Sequence, residues 1–444
     1  MKPNPRSIVL DALMRVEEND AYSNIVLGSA LRDSGLSGRD RAFAAMLFYG
    51  VLERKLLLDY NLSRFSSRSV TKLDPEVLMI LRMGLYQLRF MDSVPDRAAV
   101  NEAVALCKSK GLHSASGYVN GVLRAAAGTE EILLPEKRKS KNKYLSVKYS
   151  CPEKIIKLWR SAYGDDITLR ILSGLEGRPP VCARVNTLRT TSEELGARLS
   201  DEGISVRSSE LVPDCLFLEK TGAIEETKSY REGLFHIQDS ASQICCGILS
   251  PEEGQTVTDV CSAPGGKSFT IAQLMGNRGR IVSCDLYEHR LGLVKEGAER
   301  LGIDIIETMA ADSSTEKGFP LSDRILCDVP CSGLGIIRRK PELRYKEDHG
   351  LRELPEIQYS ILKNCASALK PGGLLVYSTC TLNPEENSGV IRRFLAEMPE
   401  FEACPIKLPP GVTRIIGEEE NELTLFPAPD STDGFFISLC RRKK

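Results

Sequence analysis

Two cysteines stand where apolar runs break into loops. Cys331 lies in DVPCSGLG, residues 328–335, directly after RILC, and Cys380 sits in LLVYSTCT just before LNPEEN. A thiolate is a strong nucleophile near neutral pH, and a strand end can present it to a ligand on the rim of a sheet. A single thiol in such a place is more often an inert core residue. Two of them after neighbouring strands favour chemistry. Asp328 precedes Cys331 by three residues, Pro330 stiffens the loop, and Gly333 and Gly335 loosen it. Residue types alone leave open which cysteine attacks.

A second loop, DVCSAPGGKS (residues 259–268), lies between an apolar run and a helical one. It ends like a nucleotide-hydrolase loop, but the first glycine of that pattern is replaced by Cys261. The G-x-G-x-x-G of a dinucleotide site is missing as well. Gly265 and Gly266 let the backbone approach a ligand at a helix N-terminus, which suits a carboxylate. Asp285 closes the next strand, about twenty residues on, where an acid accepts hydrogen bonds from ribose hydroxyls. Asp312 and Asp328 end the third and fourth strand regions on the same edge. A ligand with a ribose, an adenine and an amino-acid end, but no phosphate, fits this loop: S-adenosylmethionine. Radical use of that molecule needs a three-cysteine iron–sulfur motif, absent around Cys327 and Cys331. Polar methyl transfer is left.

A methyl acceptor that requires a thiol is an unreactive carbon. C5 of a pyrimidine becomes nucleophilic once a thiolate adds to C6, and a hydrogen bond to ring N3 assists. Asp328 is placed for that bond. The base must be unpaired or flipped out of its stack.

These groups need a sheet to hold them. QTVTDVCS, GRIVSCD, DRILCD and GGLLVYST read as buried parallel strands, with KSFTIAQLM, HRLGLVKEGAERL and IQYSILKNCASAL as helices between them and DGFFISLC as a last strand. A Rossmann-like α/β domain is expected over 236–444. Residues 151–235 mix the strands PVCARVNTLR, ISVRSSEL and CLFLEK with the helix SEELGARLSDEG, which gives a small α+β subdomain. Residues 1–128 are helical throughout, with Asp74 and Pro75 opening one helix. Residues 129–150, rich in Lys and Arg, form a basic linker able to touch phosphates.

At 444 residues the chain is long enough for several cores. A net charge of −1 neither demands nor excludes nucleic acid. Its fourteen cysteines include no C-x-x-C, and its four histidines are not at ligand spacing, so no metal and no disulfide framework is expected. The N-terminus meets acids too early for a secretory signal and no apolar run reaches the roughly 20 residues of a membrane span. A cytoplasmic monomer is the plainest expectation.

DVCSAPGGKS, DVPCSGLG, YSTCTLNPEEN and DGFF together resemble the Sun/Fmu (RsmB) family of 16S rRNA cytosine-C5 methyltransferases. The similarity runs almost the whole length. RDRAFAAMLFYGVLERK, AVNEAVALCK and GYVNGVLR look like that family's NusB-like RNA-binding domain, GLFHIQDSASQ like its lead-in to the catalytic domain, and GIIRRKPELRY favours this subfamily. The resemblance implies methylation of a 16S rRNA cytosine (cytosine-967 type) from S-adenosylmethionine. It also implies that Cys380 is the nucleophile and that Cys331 assists release of the methylated base. Cys261, Ser262, Ala263, Pro264, Gly265, Gly266, Lys267, Asp285, Asp312 and Asp328 would bind the cofactor, with Asp328 also near the base. Lys267 either holds the loop or an acidic partner, or is structural. Arg338, Arg339 and Lys340 fit phosphate contacts. Val329, Leu334 and Ser262 depart from the family's usual alanine, threonine and alanine, and spare every polar role. Two alternatives stand beside this reading: the same chemistry on transfer RNA or 23S rRNA, and a non-catalytic RNA-binding or ribosome-assembly factor.

Overall fold

The computed structural model describes residues 4–444 apart from 20, 33, 178, 220, 347–350, 416 and 429–431. It divides into two units, the first made of residues 4–176 together with 337–346, and the second of the rest. The first unit is a helical bundle: α1 (Pro5–Asn19), α2 (Ser23–Arg32), α3 (Gly38–Glu53), α4 (Lys55–Phe65), α5 (Pro75–Phe90), α6 (Asp96–Ser109), α7 (Ser116–Ala127), α8 (Lys141–Lys148) and α9 (Glu153–Gly174). Its core is made of Leu10, Leu13, Leu47, Phe48, Leu62, Ile80 and Leu123. Asp74 caps α5 through the Glu76 and Val77 N–H groups, with Pro75 in its first turn. Gly50 is needed where α3 crosses α5, because a Cβ there would lie 1.9 Å from the Tyr86 ring. The buried Arg82 guanidinium forks onto Asp59 at 2.7 and 2.9 Å and reaches Glu17 at 3.1 Å, satisfying a charge that would otherwise be costly to bury.

Two segments differ from their sequence reading. The basic stretch 129–150 is only partly a linker: Ser140 caps α8, and Asn61 binds the Leu133 main chain in both directions, at 2.8 and 3.1 Å. Lys141 and Arg160 both pair with Asp165, so part of the positive charge is neutralised within the bundle. The cluster after the Pro-Cys loop, expected to contact phosphates, is partly taken up within the protein. Arg338 is buried, and Lys340 lies 4.3 Å over the Tyr22 ring. Arg344 donates to the Tyr149 and Ser150 carbonyls and Tyr345 to Ser150, while the Ser23 N–H donates to Glu342.

The second unit begins with β1 (Val181–Val185), α10 (Ser192–Asp201), β2 (Ser205–Ser208), β3 (Cys215–Glu219), α11 (Lys228–Arg231) and β4 (Phe235–Ile237). Its four strands run antiparallel in the order β2-β3-β1-β4, and Leu195, Leu199, Leu216, Leu218 and Phe235 fill the space behind them. Thr191 and Glu194 close a reciprocal capping box on α10.

The larger sheet follows: α12 (Ser240–Leu249), β5 (Thr256–Asp259), α13 (Gly266–Leu274), β6 (Arg280–Asp285), α14 (Glu288–Leu301), β7 (Ile306–Ala310), β8 (Ser322–Asp328), α15 (Leu354–Ala366), β9 (Leu369–Thr379), α16 (Ser388–Glu397), β10 (Phe401–Ala403), β11 (Glu422–Leu425) and β12 (Phe435–Arg442). The order is β10-β12-β9-β8-β5-β6-β7, with β5 to β9 parallel and β12 antiparallel against β9. Strand order reverses between β5 and β8, and ligands bind at the carboxyl ends of strands at such a point. The glycine loop leaves β5 there, and Asp328 ends β8. No helix among the described residues is long and apolar enough to cross a membrane.

Candidate active site

The loop from Val260 to Gly265 is fixed through its main chain. Ser262 N–H donates to Cys284 O at 2.7 Å, Gly265 N–H to Ser262 O at 2.8 Å, and Ser313 Oγ to Val260 O at 2.6 Å. Ala263–Pro264 is a cis peptide. Gly265 has φ +107°, and a Cβ on it would meet the Phe269 ring at 2.4 Å, so only glycine suits this turn. No side chain caps the N-terminus of α13, which leaves its first N–H groups for a ligand.

Asp285, buried at the end of β6, accepts from Tyr287 N–H at 3.1 Å and from Arg290 Nη1 at 3.2 and 3.0 Å, one to each oxygen. The same guanidinium donates to Ala263 O at 2.9 Å and so ties the acid to the glycine loop. Leu286 and Tyr287 beside it are exposed apolar surface. The donor set therefore fits S-adenosylmethionine: an acid for ribose hydroxyls, an apolar face for a purine, and a helix N-terminus for a carboxylate. Asp312 follows Ala311, whose N–H donates to Asp285 O at 3.0 Å. It is exposed two residues beyond β7, and Ser314 N–H and Oγ hold its carboxyl below the ordinary range.

Across the switch point Lys267 Nζ meets Asp328 Oδ2 at 2.6 Å, and Ser378 Oγ donates to Oδ1 at 2.8 Å. Burial opposes charge on Lys267, but Asp328 and its other neighbours outweigh it and hold the ammonium well above its ordinary pKa. Beneath the loop, burial pushes the Asp259 carboxyl up to about 7 against the opposing hydrogen bond from Ser268.

The two thiols meet. Cys331 Sγ lies 3.0 Å from Cys380 Sγ, and both are partly exposed. The hydrogen bond to Cys380, then burial, then the charges of Cys380 and Glu386 push the Cys331 thiol well up, and either sulfur can donate in this contact. Elsewhere burial pushes Cys107 to about 11 and Cys245 to about 12, as expected of inert packing thiols. Gly335 joins the two loops to the DGFF turn: its N–H donates to Cys380 O at 3.0 Å, and its carbonyl accepts from Gly434 N–H at 2.9 Å.

Several of the groups that hold these residues are given no role in the sequence reading, although Ser332, Ser378 and Glu386 lie inside the quoted motifs. Arg290, Ser378, Ser332, Gln358 and Glu386 make the contacts that fix Asp285, Asp328 and the cysteine loops. The signal available for Glu386 is PEEN directly after the cysteine motif, an acid pair in a loop that has a nucleophile to hold. Arg290, Gln358 and Ser378 are single polar residues on helices and a strand and Ser332 is a loop residue, and only tertiary placement reveals what they hold.

Comparison with known proteins agrees with this architecture. The family model for the 16S rRNA methyltransferase RsmB/F matches residues 246–441, that for the NusB family residues 3–128, and that for the RsmF/B-like ferredoxin-like domain residues 151–225. The "Probable ribosomal RNA small subunit methyltransferase B" of Bacillus subtilis is 40% identical, over 100% of this chain and 99% of its own. The protein of the same name from Synechocystis is 35% identical over 98% of both chains. Among solved structures, the crystal structure of PH0851 superposes with a TM-score of 0.83 over all of both chains at 27% identity. With that identity over its full length, the chain belongs to the ribosomal RNA small subunit methyltransferase B family.

Proposed function

We propose that this protein transfers a methyl group from S-adenosylmethionine to C5 of a cytosine in 16S rRNA, of the cytosine-967 type, through a covalent adduct with Cys380. The observation that carries the reading is the 3.0 Å approach of Cys331 and Cys380 on the rim that also holds Lys267 and Asp328. Family membership supports the RNA substrate, since the relatives named above are small-subunit rRNA methyltransferases.

When bound, the sulfonium of the cofactor supplies an electrophilic methyl. Asp285 and the start of α13 hold its ribose and amino-acid ends. Cys380 Sγ forms a bond to C6 of the base, which makes C5 nucleophilic. The Lys267–Asp328 pair holds the proton that a hydrogen bond to ring N3 requires. After C5 gains the methyl, its proton leaves, the S–C6 bond breaks and the thiol is restored. Cys331, 3.0 Å away, assists that release.

The test pairs Cys331→Ala with Cys380→Ala, each mixed with 16S rRNA and S-adenosylmethionine and run on a denaturing gel. A protein–RNA band for Cys331→Ala alone is expected. The reverse pattern would exchange the two roles. No band for either, with no methyl transfer by the parent, would favour a binding factor.

A further inference from the structure

Glu386 is fully buried and lies six residues beyond Cys380, yet its carboxylate is the meeting point of both cysteine loops. Oε2 accepts from Ser332 N–H at 2.8 Å and from Gln358 Nε2 at 2.9 Å. Oε1 accepts from Ser332 Oγ at 2.5 Å, Asn383 Nδ2 at 3.0 Å and Thr381 Oγ1 at 3.5 Å. Ser332 directly follows Cys331, Thr381 directly follows Cys380, and their hydroxyls lie 2.7 Å apart. Gln358 also donates to Pro330 O at 2.9 Å, so the Cys331 loop is gripped on both sides of its thiol. The adjacent Asn387 does the same for Cys380, accepting from Thr379 Oγ1 at 2.6 Å and donating to Thr381 O at 3.0 Å. Tyr377 OH fixes Glu386 itself through the main-chain carbonyl at 2.6 Å.

We propose that Glu386 is a positioning residue that sets the two thiols at reacting distance and supplies the negative charge that Cys331 faces. The inference rests on the two-thiol reading above. A carboxylate is acceptor-only and takes two or more donors per oxygen. An amide at this position would turn N–H groups toward N–H donors whichever way it faced. The charge matters as well: Cys331 is faced by Cys380, Glu386 and Tyr377 from the neighbouring segments and has Asp328 on its own loop, and Glu386 adds negative potential that favours the thiol.

Two measurements on the full-length protein test this. The first compares turnover of Glu386→Gln, Glu386→Asp and Gln358→Met on 16S rRNA. For Glu386→Gln, kcat should fall by about 100-fold or more with little change in KM for S-adenosylmethionine, the loss expected from misplacing a reacting group by about an ångström. Glu386→Asp should recover part of it, and Gln358→Met should fall in the same direction by less. The second follows alkylation of Cys331 by iodoacetamide against pH in a Cys380→Ala background, read by peptide mass. Adding Glu386→Gln should move the midpoint to lower pH, and adding Glu386→Asp should leave it in place. A structural residue alone would change the plateau rate and not the midpoint. Turnover of Glu386→Gln within about threefold of the parent, or an unmoved midpoint, would overturn the proposal. Methyl transfer by Cys380→Ala would instead overturn the two-thiol reading on which it rests.

Discussion

The two rims that face each other across the switch point are built by different means. On the cofactor side the loop after β5 is held at its own main-chain groups: Ser262 N–H on Cys284 O, Gly265 N–H on Ser262 O, and the Ala263 carbonyl under the Arg290 guanidinium. On the thiol side, loops from β8 and β9 are held by side chains that converge on Glu386. A main-chain frame tolerates changes of side chain except where a Cβ cannot fit. A frame centred on one carboxylate tolerates few changes at its centre. Ser262 lies in the tolerant frame.

The largest effect should come where the thiol rim also depends on main chain. A Cβ on Gly335 would lie 2.0 Å from Gly434 O and 2.8 Å from Cys380 O, neither of which can move without shifting a motif. Gly335→Ala should cost about 3 kcal/mol or more in denaturant unfolding and abolish methyl transfer. A variant of parental stability would mean that the turn relaxes freely.

Asp259, beneath the cofactor loop, gives an intermediate effect that depends on pH. Its carboxyl is raised to about 7 in the folded protein, chiefly by burial, against about 3.9 when unfolded. The folded state holds this proton more tightly, so the associated stability is complete below the unfolded value and is lost as pH rises through about 7. Asp259→Asn removes that loss. Relative to the parent it should therefore gain stability between pH 5 and 8, on the order of a few kcal/mol, whatever its fixed offset. A difference that stays flat with pH would show that Asp259 ionises without penalty.

The smallest effect belongs to Ser262→Ala. Ser262 Oγ is buried without a hydrogen-bond partner among the described residues. Removing it should leave turnover unchanged and stability equal or up to about 1 kcal/mol higher. A rise in KM for S-adenosylmethionine would instead assign that hydroxyl to the cofactor.

Much of this arrangement was legible in the chain. β5, β6, β8 and β9 are continuous apolar runs ending in Asp or in the Thr-Cys pair, and a run of that kind marks both the strand and the rim. The start of α5 was legible because Asp74 and Pro75 act locally. What escaped was decided by distant partners. α8 lies in a stretch of lysines whose charge masks any period, and Ser140 and Asp165 stabilise it. Arg338 read as a phosphate contact and Arg344 carried no reading, yet one is buried and the other is satisfied by carbonyls some two hundred residues earlier in the chain. Glu386 read as one of two loop acids, and nothing local separates it from Glu385.

The placement of residues 337–346 bears on how such a protein can change by gene rearrangement. Six residues after Cys331 the chain enters a ten-residue stretch that folds as part of the helical unit, with Arg344 and Glu342 spending their hydrogen bonds on α2 and on the turn after α8. Simple loss of the first 176 residues would strip that stretch of every partner named here and expose to solvent a guanidinium and a carboxylate that the whole chain buries. The helical part is therefore no detachable module. A lineage that sheds or exchanges it must rewrite residues 337–346 at the same time, and the two pieces of sequence should be inherited together.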